Sequence, residues 1–307
     1  MSSIAYVTDK HMIEFHRLNG NQTMNFWRPS SQKKFVDFFE GDLLFFLAKG
    51  SERGRKREKG IVGYGKFKKS YTCSFKQMWK EYGTLNGFAT QDELYDAIIK
   101  VSKDKKMPKQ MNCLFLEEVV FFQSPIYLSE VGVQISNKIE SFIYLDKEDP
   151  QATSKLLNKA KESGIDMWMA ALNNTSENEE TLEEDEIKHQ FSLVYQKIND
   201  DFYTDTELKK AKKLAKIKCE NSSFELIKGS KTDCIQYKEN SITIAIPFIY
   251  KPKELNRKLQ FLLGHIVSYQ MRIKTMSDYN FNLHFEILSE QDLPEDVVEL
   301  IEAINQK

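Results

Sequence analysis

Asn25-Phe26-Trp27-Arg28-Pro29-Ser30 places two large rings between an amide and a guanidinium, with a proline directly behind them. The sequence around it has the same character. Residues 1–150 carry 23 of the chain's 37 aromatic residues, a density that indicates many short, half-buried strands with stacking surfaces. Asp42-Leu-Leu-Phe-Phe-Leu-Ala48 and Gly60-Ile-Val-Gly-Tyr-Gly-Lys-Phe67 are apolar runs punctuated by glycine, and together they predict a β-hairpin. The basic stretch between them is too long for a tight turn, so it is expected to project as a binding element. Asn112–Phe122 predicts another strand and Ser141–Leu145 a shorter one. Between them, Phe75–Tyr82 puts Phe75, Met78, Trp79 and Tyr82 on one helical face. Thr90 to Ser102 opens with a capping box, Thr90-x-x-Glu93. The reading is a strand-rich α+β barrel with flanking helices over residues 1–150.

Beyond residue 150 the pattern changes. Residues 154–170 predict a connecting helix that stops near Gly164. Residues 173–186 are polar, with seven acids and no base between 177 and 186. So little apolar surface predicts a linker that does not order itself. Residues 151–189 are therefore read as connection and linker, and 190–307 as a second α+β domain for effector docking or dimerisation. Strands are expected at Ser223–Ile227, Asp233–Tyr237, Ser241–Tyr250 and Asn282–Ser289. A long helix near Lys253–Lys274 carries Leu255, Leu259, Leu262, Ile266 and Tyr269 as an apolar stripe, suited to core packing or to a homodimer.

Composition bounds the rest. At 307 residues, 41% hydrophobic and 29% charged, the chain has room for two ordinary globular domains. No run approaches the roughly 20 apolar residues that span a bilayer, and the first residues lack a secretion signal, so a cytoplasmic protein without a membrane partner is expected. Cys73, Cys113, Cys219 and Cys234 are far apart in sequence, which predicts reduced thiols rather than a zinc site or disulfide framework. A net charge of −1 argues against non-specific coating of nucleic acid, yet residues 49–69 hold nine Lys or Arg against two Glu. Such a cluster fits either phosphate binding or a solvated loop.

In order along the chain stand Val7-Thr-Asp9, Asn25–Ser30, Gly41-Asp-Leu-Leu-Phe-Phe46, Ile61-Val-Gly-Tyr-Gly-Lys-Phe67, Met78-Trp79, Tyr82-Gly-x-x-Asn-Gly87 and Cys113-Leu-Phe-Leu-Glu-x-x-x-Phe-Phe122. From Ala5 to about Tyr144 this series resembles the PUA-like domain found at the N-terminus of HNH restriction endonucleases. The wider superfamily includes the EVE, YTH, ASCH and SRA domains. The resemblance implies a small barrel that receives a base, often a modified one. It also implies a setting of prokaryotic restriction-modification or antiviral defence. DNA carrying a modified base is then the expected partner, RNA the alternative, with a separate effector protein encoded nearby.

A base lifted from its stack must be re-stacked and hydrogen-bonded along its edge. Stacking on an aromatic side chain contributes roughly 1–3 kcal/mol per base. Trp27 and Trp79 are the candidate walls, with Phe26, Phe46 and Tyr64 behind them. Asn25 and Ser30 are candidate readers of a base edge, Arg28 of a phosphate, and Arg55, Lys56, Arg57 and Lys66 supply positive charge. The alternative for Trp27 and Trp79 is that they pin the core. Gly63 and Gly65 indicate a bulge or a barrel bend.

Catalytic signatures are sparse. His11, His16, His189, His265 and His284 form no HNH constellation, and His265 is expected as a core or interface histidine. Glu225 and Asp233 fall in the order of a PD-(D/E)xK nuclease, where two carboxylates hold Mg²⁺. However, Ile244-Ala-Ile-Pro-Phe-Ile-Tyr-Lys251 lacks the expected acid. The leading expectation is a recognition protein without cofactor. The alternatives are a Mg-dependent, modification-dependent nuclease using Glu225 and Asp233, and an interaction module that no longer binds a base.

Overall fold

The computed structural model describes residues 3–29, 35–102, 104–136, 139–173, 175–198, 203–238, 241–274 and 282–306. The chain divides into two units, Ser2–Glu186 and Ile187–Lys307. In the N-terminal unit the order is β1 (Ile4–Thr8), α1 (Lys10–Leu18), β2 (Met24–Pro29), β3 (Leu43–Ala48), β4 (Gly60–Cys73), α2 (Phe75–Tyr82) and α3 (Gln91–Val101). There follow β5 (Met111–Tyr127), β6 (Phe142–Tyr144), α4 (Ala152–Ser163), α5 (Met167–Asn173) and the first part of α6 (Thr175–Tyr195), which runs on past the end of this unit. Three of these helices, α1, α2 and α3, begin where side chains satisfy their first N–H groups. Asp9 accepts from His11 N, and both Ser74/Gln77 and the expected Thr90/Glu93 form complete capping boxes.

The six strands form one mixed sheet in the order β2-β5-β4-β3-β1-β6. β1 runs parallel to β3 and antiparallel to β6, and every other pairing is antiparallel. The α+β class expected from sequence is present. Among the described residues no pairing joins β2 to β6, so the expected barrel is not closed by hydrogen bonds. β3 and β4 are the expected hairpin, and an isolated bridge between Arg53 and Glu58 closes its basic loop. The register of β4 against β5 shifts between Ile61 and Gly63 and again between Tyr64 and Lys66. These are the bulges the glycines indicated. Gly63 is required there, because a Cβ would stand 2.3 Å from the carbonyl oxygen of Val120.

The apolar positions of this sheet meet in a core that includes Ile4, Met24, Phe26, Leu44, Phe46, Leu116 and Phe121. A satellite cluster on the far side of β2 gathers Met78, Leu94, Ile98, Met111 and Cys113.

The acidic stretch is not an unordered linker. Residues 175–186 are the first part of α6, in which Leu182 and Asp185 are buried. The connecting segment also belongs to the first unit, because Ile165 bridges Phe122 and Asp166 N donates to Phe121 O. The break between units therefore falls at Glu186, within the segment assigned from sequence to the linker. The reason is long-range: the anchor for Asp185 lies 121 residues earlier, at Tyr64.

The C-terminal unit continues from α6 with α7 (Asp205–Asn221), β7 (Glu225–Leu226), β8 (Cys234–Lys238), β9 (Ser241–Pro247), α8 (Leu255–Ile273), β10 (Asn282–Leu288) and α9 (Glu295–Asn305). Its four-stranded sheet runs β10-β9-β8-β7, with β10 parallel to β9 and the others antiparallel. Leu262, Ile266 and Tyr269 of α8 are buried in this unit's own core with Phe191, Ile244 and Phe285, and Leu255 and Leu259 pack at its margin. The apolar stripe is thus core.

All four cysteines are free thiols. Though distant in sequence they lie in two pairs, with Sγ–Sγ separations of 3.9 Å for Cys73–Cys113 and 3.5 Å for Cys219–Cys234. Burial pushes the Cys73 thiol up to about 12 and raises the other three, which keeps them protonated and unreactive near neutrality. No helix among the described residues is long and apolar enough to cross a membrane.

Candidate nucleic-acid interface

Strand alternation divides the Asn25–Arg28 segment between two faces of β2. On one face stand Asn25 and Trp27. Asn25 is fully buried: its Nδ2 donates to Asn86 Oδ1 at 2.7 Å, and its Oδ1 accepts from the Tyr71 hydroxyl at 2.9 Å. Asn86, also buried, donates its own Nδ2 to Gly83 O at 2.7 Å, and its carbonyl accepts Trp27 Nε1–H at 2.9 Å. The amide assigned to read a base edge is thus committed to protein. Trp27 is half-buried, lies 6.3 Å from the Phe88 ring, and packs with Trp79 against the satellite cluster. The structure brings the two candidate walls to the same cluster, flanking a closed polar lock.

The other face carries Phe26 and Arg28. Phe26 is buried and stacks at 6.4 Å on Phe46, which is fully buried. Both rings are core rather than pocket wall. Arg28 is different. It is 8% exposed, its guanidinium carbon sits 4.3 Å over the Phe35 ring, and its Nε and Nη1 are buried without a hydrogen-bond partner. An unpaired buried ion costs several kcal/mol, because desolvation is not repaid by a counter-charge.

Around it lies an aromatic surface the sequence reading missed. Tyr6 and Phe142 stack at 5.9 Å with rings 14° from parallel, and Phe35 meets Phe142 at 4.6 Å. The Tyr144 ring meets Phe142 edge-on at 5.7 Å, while its hydroxyl accepts the backbone N–H of Val36 at 3.0 Å. Tyr6, Phe142 and Tyr144 are each partly exposed on a β1–β6 pairing that brings residue 6 opposite residue 142. The only local signal was the aromatic density of residues 1–150. Ser30 lies outside the described residues.

The cations divide as well. Lys66 is buried and ion-paired to Asp185 at 2.8 Å and to Glu118. Burial works to discharge its ammonium, but the two carboxylates outweigh it and raise its pKa. The same Asp185 accepts from Tyr64, a fully buried residue, at 2.7 Å. Lys66 and Tyr64 are therefore members of an internal network, not a phosphate grip and a stacking wall. Arg55, Lys56 and Arg57 are exposed at the tip of the β3–β4 loop. The base of that loop is held by Arg53, which pairs with Glu130 at 2.5 Å and lies 3.5 Å over the Tyr127 ring.

In the C-terminal unit, Asp233 is buried and its carboxylate accepts from Tyr269 at 2.9 Å, from Thr232 at 3.0 Å, and meets His265 Nε2 at 2.6 Å. His265 is the partnered core histidine expected. Glu225 is ion-paired to Lys188. The structure does not join Glu225 and Asp233 in a metal site, and no group of three or more metal-ligating side chains occurs among the described residues.

No protein family matches the sequence, and no curated protein matches it. Among solved structures the chain is similar to the ASCH protein of Zymomonas mobilis, at 14% identity over 51% of this chain and 94% of that one, with a TM-score of 0.34. A hypothetical protein from Leishmania major is 14% identical over 53% of this chain and 96% of its own, with a TM-score of 0.29. A protein from Pseudomonas syringae is 16% identical over 50% of this chain and 98% of its own, also with a TM-score of 0.29.

Proposed function

We propose that the N-terminal unit is a PUA-like nucleic-acid-binding module that receives an unstacked base on the Tyr6–Phe35–Phe142–Tyr144 surface. Arg28 contacts the base or its phosphate, and the Arg55-Lys56-Arg57 tip follows the backbone. The observation that carries this reading is the unpartnered Nε and Nη1 of Arg28, buried against an aromatic ring beside partly exposed ones. A donor set held unpaired at such cost suits an acceptor that arrives from outside, and a base or phosphate supplies one. The sequence resemblance points to DNA with a modified base, in a restriction or anti-phage setting within the cytoplasm. The C-terminal unit would then dock an effector or form a dimer.

The test is a fluorescence-anisotropy panel of unmodified, methylated, hydroxymethylated and glucosylated duplexes, with matching single-stranded DNA and RNA. One class should bind about tenfold tighter than the rest, and Phe142→Leu should erase that preference. Weak, equal binding to every member that vanishes in moderate salt would reduce the module to non-specific attraction.

A further inference from the structure

A second recess lies elsewhere in the N-terminal unit, lined by α1, the end of β3 and β5. Its volume is about 430 Å³, within the roughly 300–1,000 Å³ of small-molecule sites. Val62 and Phe121 give it an apolar wall, and Lys10, Lys49, Arg17, Glu14 and Asp166 give it charge. The charges are not equivalent. Arg17 is engaged by Glu14 at 2.8 Å and by Asp166 at 3.1 Å, so this trio carries one net negative charge and does not attract an anion. Lys10 and Lys49 have no acid partner among the described residues, and they turn the balance positive.

Their placement reinforces each other. Lys10 is the first residue of α1, whose N-terminus is capped by the Asp9 carboxylate, so what it brings to the recess is its own ammonium. Its stem lies against Gly50, which has φ of 87° and forms the rim beside Lys49. The rim continues directly into the loop that carries Arg55, Lys56 and Arg57.

We propose that this recess binds a phosphomonoester carried on a flat apolar body, with the phosphate between Lys10 and Lys49 and the body against Val62 and Phe121. A nucleoside monophosphate and the phosphorylated end of a strand share that chemistry. The site is separate from the Arg28 surface and stands or falls independently of it.

The full chain is titrated calorimetrically with adenosine 5′-monophosphate, with adenosine, and with one short oligonucleotide bearing either a 5′-phosphate or a 5′-hydroxyl. Each phosphorylated probe that enters the recess should bind about tenfold tighter than its unphosphorylated twin. A gain for the monophosphate alone identifies a free nucleotide; a gain for the oligonucleotide as well identifies strand ends. The Lys10→Gln/Lys49→Gln double variant should lose the gain with its Tm unchanged, since both lysines are exposed. Arg28→Met should keep it. Equal binding with and without phosphate overturns the site, as does a gain that survives the lysine pair or disappears with Arg28.

Discussion

The two faces of β2 carry the same kinds of side chain and treat them in opposite ways. On the Asn25–Trp27 face each buried polar group has a protein partner, and Asn86 ties Asn25 to Trp27. On the Phe26–Arg28 face a full positive charge is buried with two donors unpaired. The contrast separates two reasons for a polar residue to stand inside a protein. A satisfied group specifies the fold; an unsatisfied one at an accessible aromatic surface is, on the function proposed above, held for a ligand. The two faces should therefore respond to substitution with opposite signs.

The largest effect belongs to the closed face. Asn86→Ala removes the acceptor of the Asn25 amide and a donor to the Gly83 carbonyl, leaving a buried amide unpaired and a half-buried carbonyl short of a donor. At roughly 1–3 kcal/mol for the buried amide and less for the carbonyl, the loss should be about 3 kcal/mol in urea denaturation. Nucleic-acid affinity of the protein that remains folded should not change. A loss below about 1 kcal/mol would mean that water replaces the lock, and the contrast between faces would fail.

Next is a pH effect from His16, fully buried on α1 beside the turn that follows Asn86. Its Nδ1 meets the Asn21 amide at 3.0 Å, and its Nε2 is unpartnered. Burial lowers its pKa from 6.5 to about 4. Between those values the unfolded chain binds a proton that the folded chain refuses. Stability is therefore full above pH 6.5 and declines as pH falls toward 4, by about 3 kcal/mol. His16→Gln should flatten that part of the urea-midpoint profile. An unchanged acid slope in the variant would assign the decline to other groups.

Arg28→Met follows, and its sign is the diagnostic. Replacing an unpaired buried ion with an apolar chain of similar length should leave the fold as stable or gain about 1–2 kcal/mol, while nucleic-acid affinity falls about tenfold or more. Loss of stability together with affinity would make Arg28 a structural cation and end the reading of this face as a ligand surface.

Much of the frame was legible in the sequence because its cause is local. The β3–β4 hairpin, the Thr90 capping box, the bulges at Gly63 and Gly65 and the stripe on α8 follow from side-chain period and from backbone demands on single residues. The site was legible only in part. Asn25, Tyr64 and Lys66 look like ligand contacts in sequence because their partners, Asn86, Asp185 and Glu118, lie 61, 121 and 52 residues away. Asp185 reads as part of a linker for the same reason. Tyr6 and Phe142 share one surface only through the β1–β6 pairing, and a three-residue strand leaves almost no periodicity to detect.

The smallest effect is expected at the loop tip, and it isolates charge from shape. Arg55, Lys56 and Arg57 are exposed on a turn whose base is pinned by Arg53, so a triple alanine substitution should leave Tm unaltered. Each lost phosphate contact removes about 0.9 from the slope of log affinity against log salt, so the triple variant should flatten it by up to about 3. Discrimination among modified bases should persist, because the proposed function assigns it to the aromatic face. Loss of discrimination with an unchanged salt slope would reverse the assignment, making the tip the reader and the Arg28 face mere scaffold.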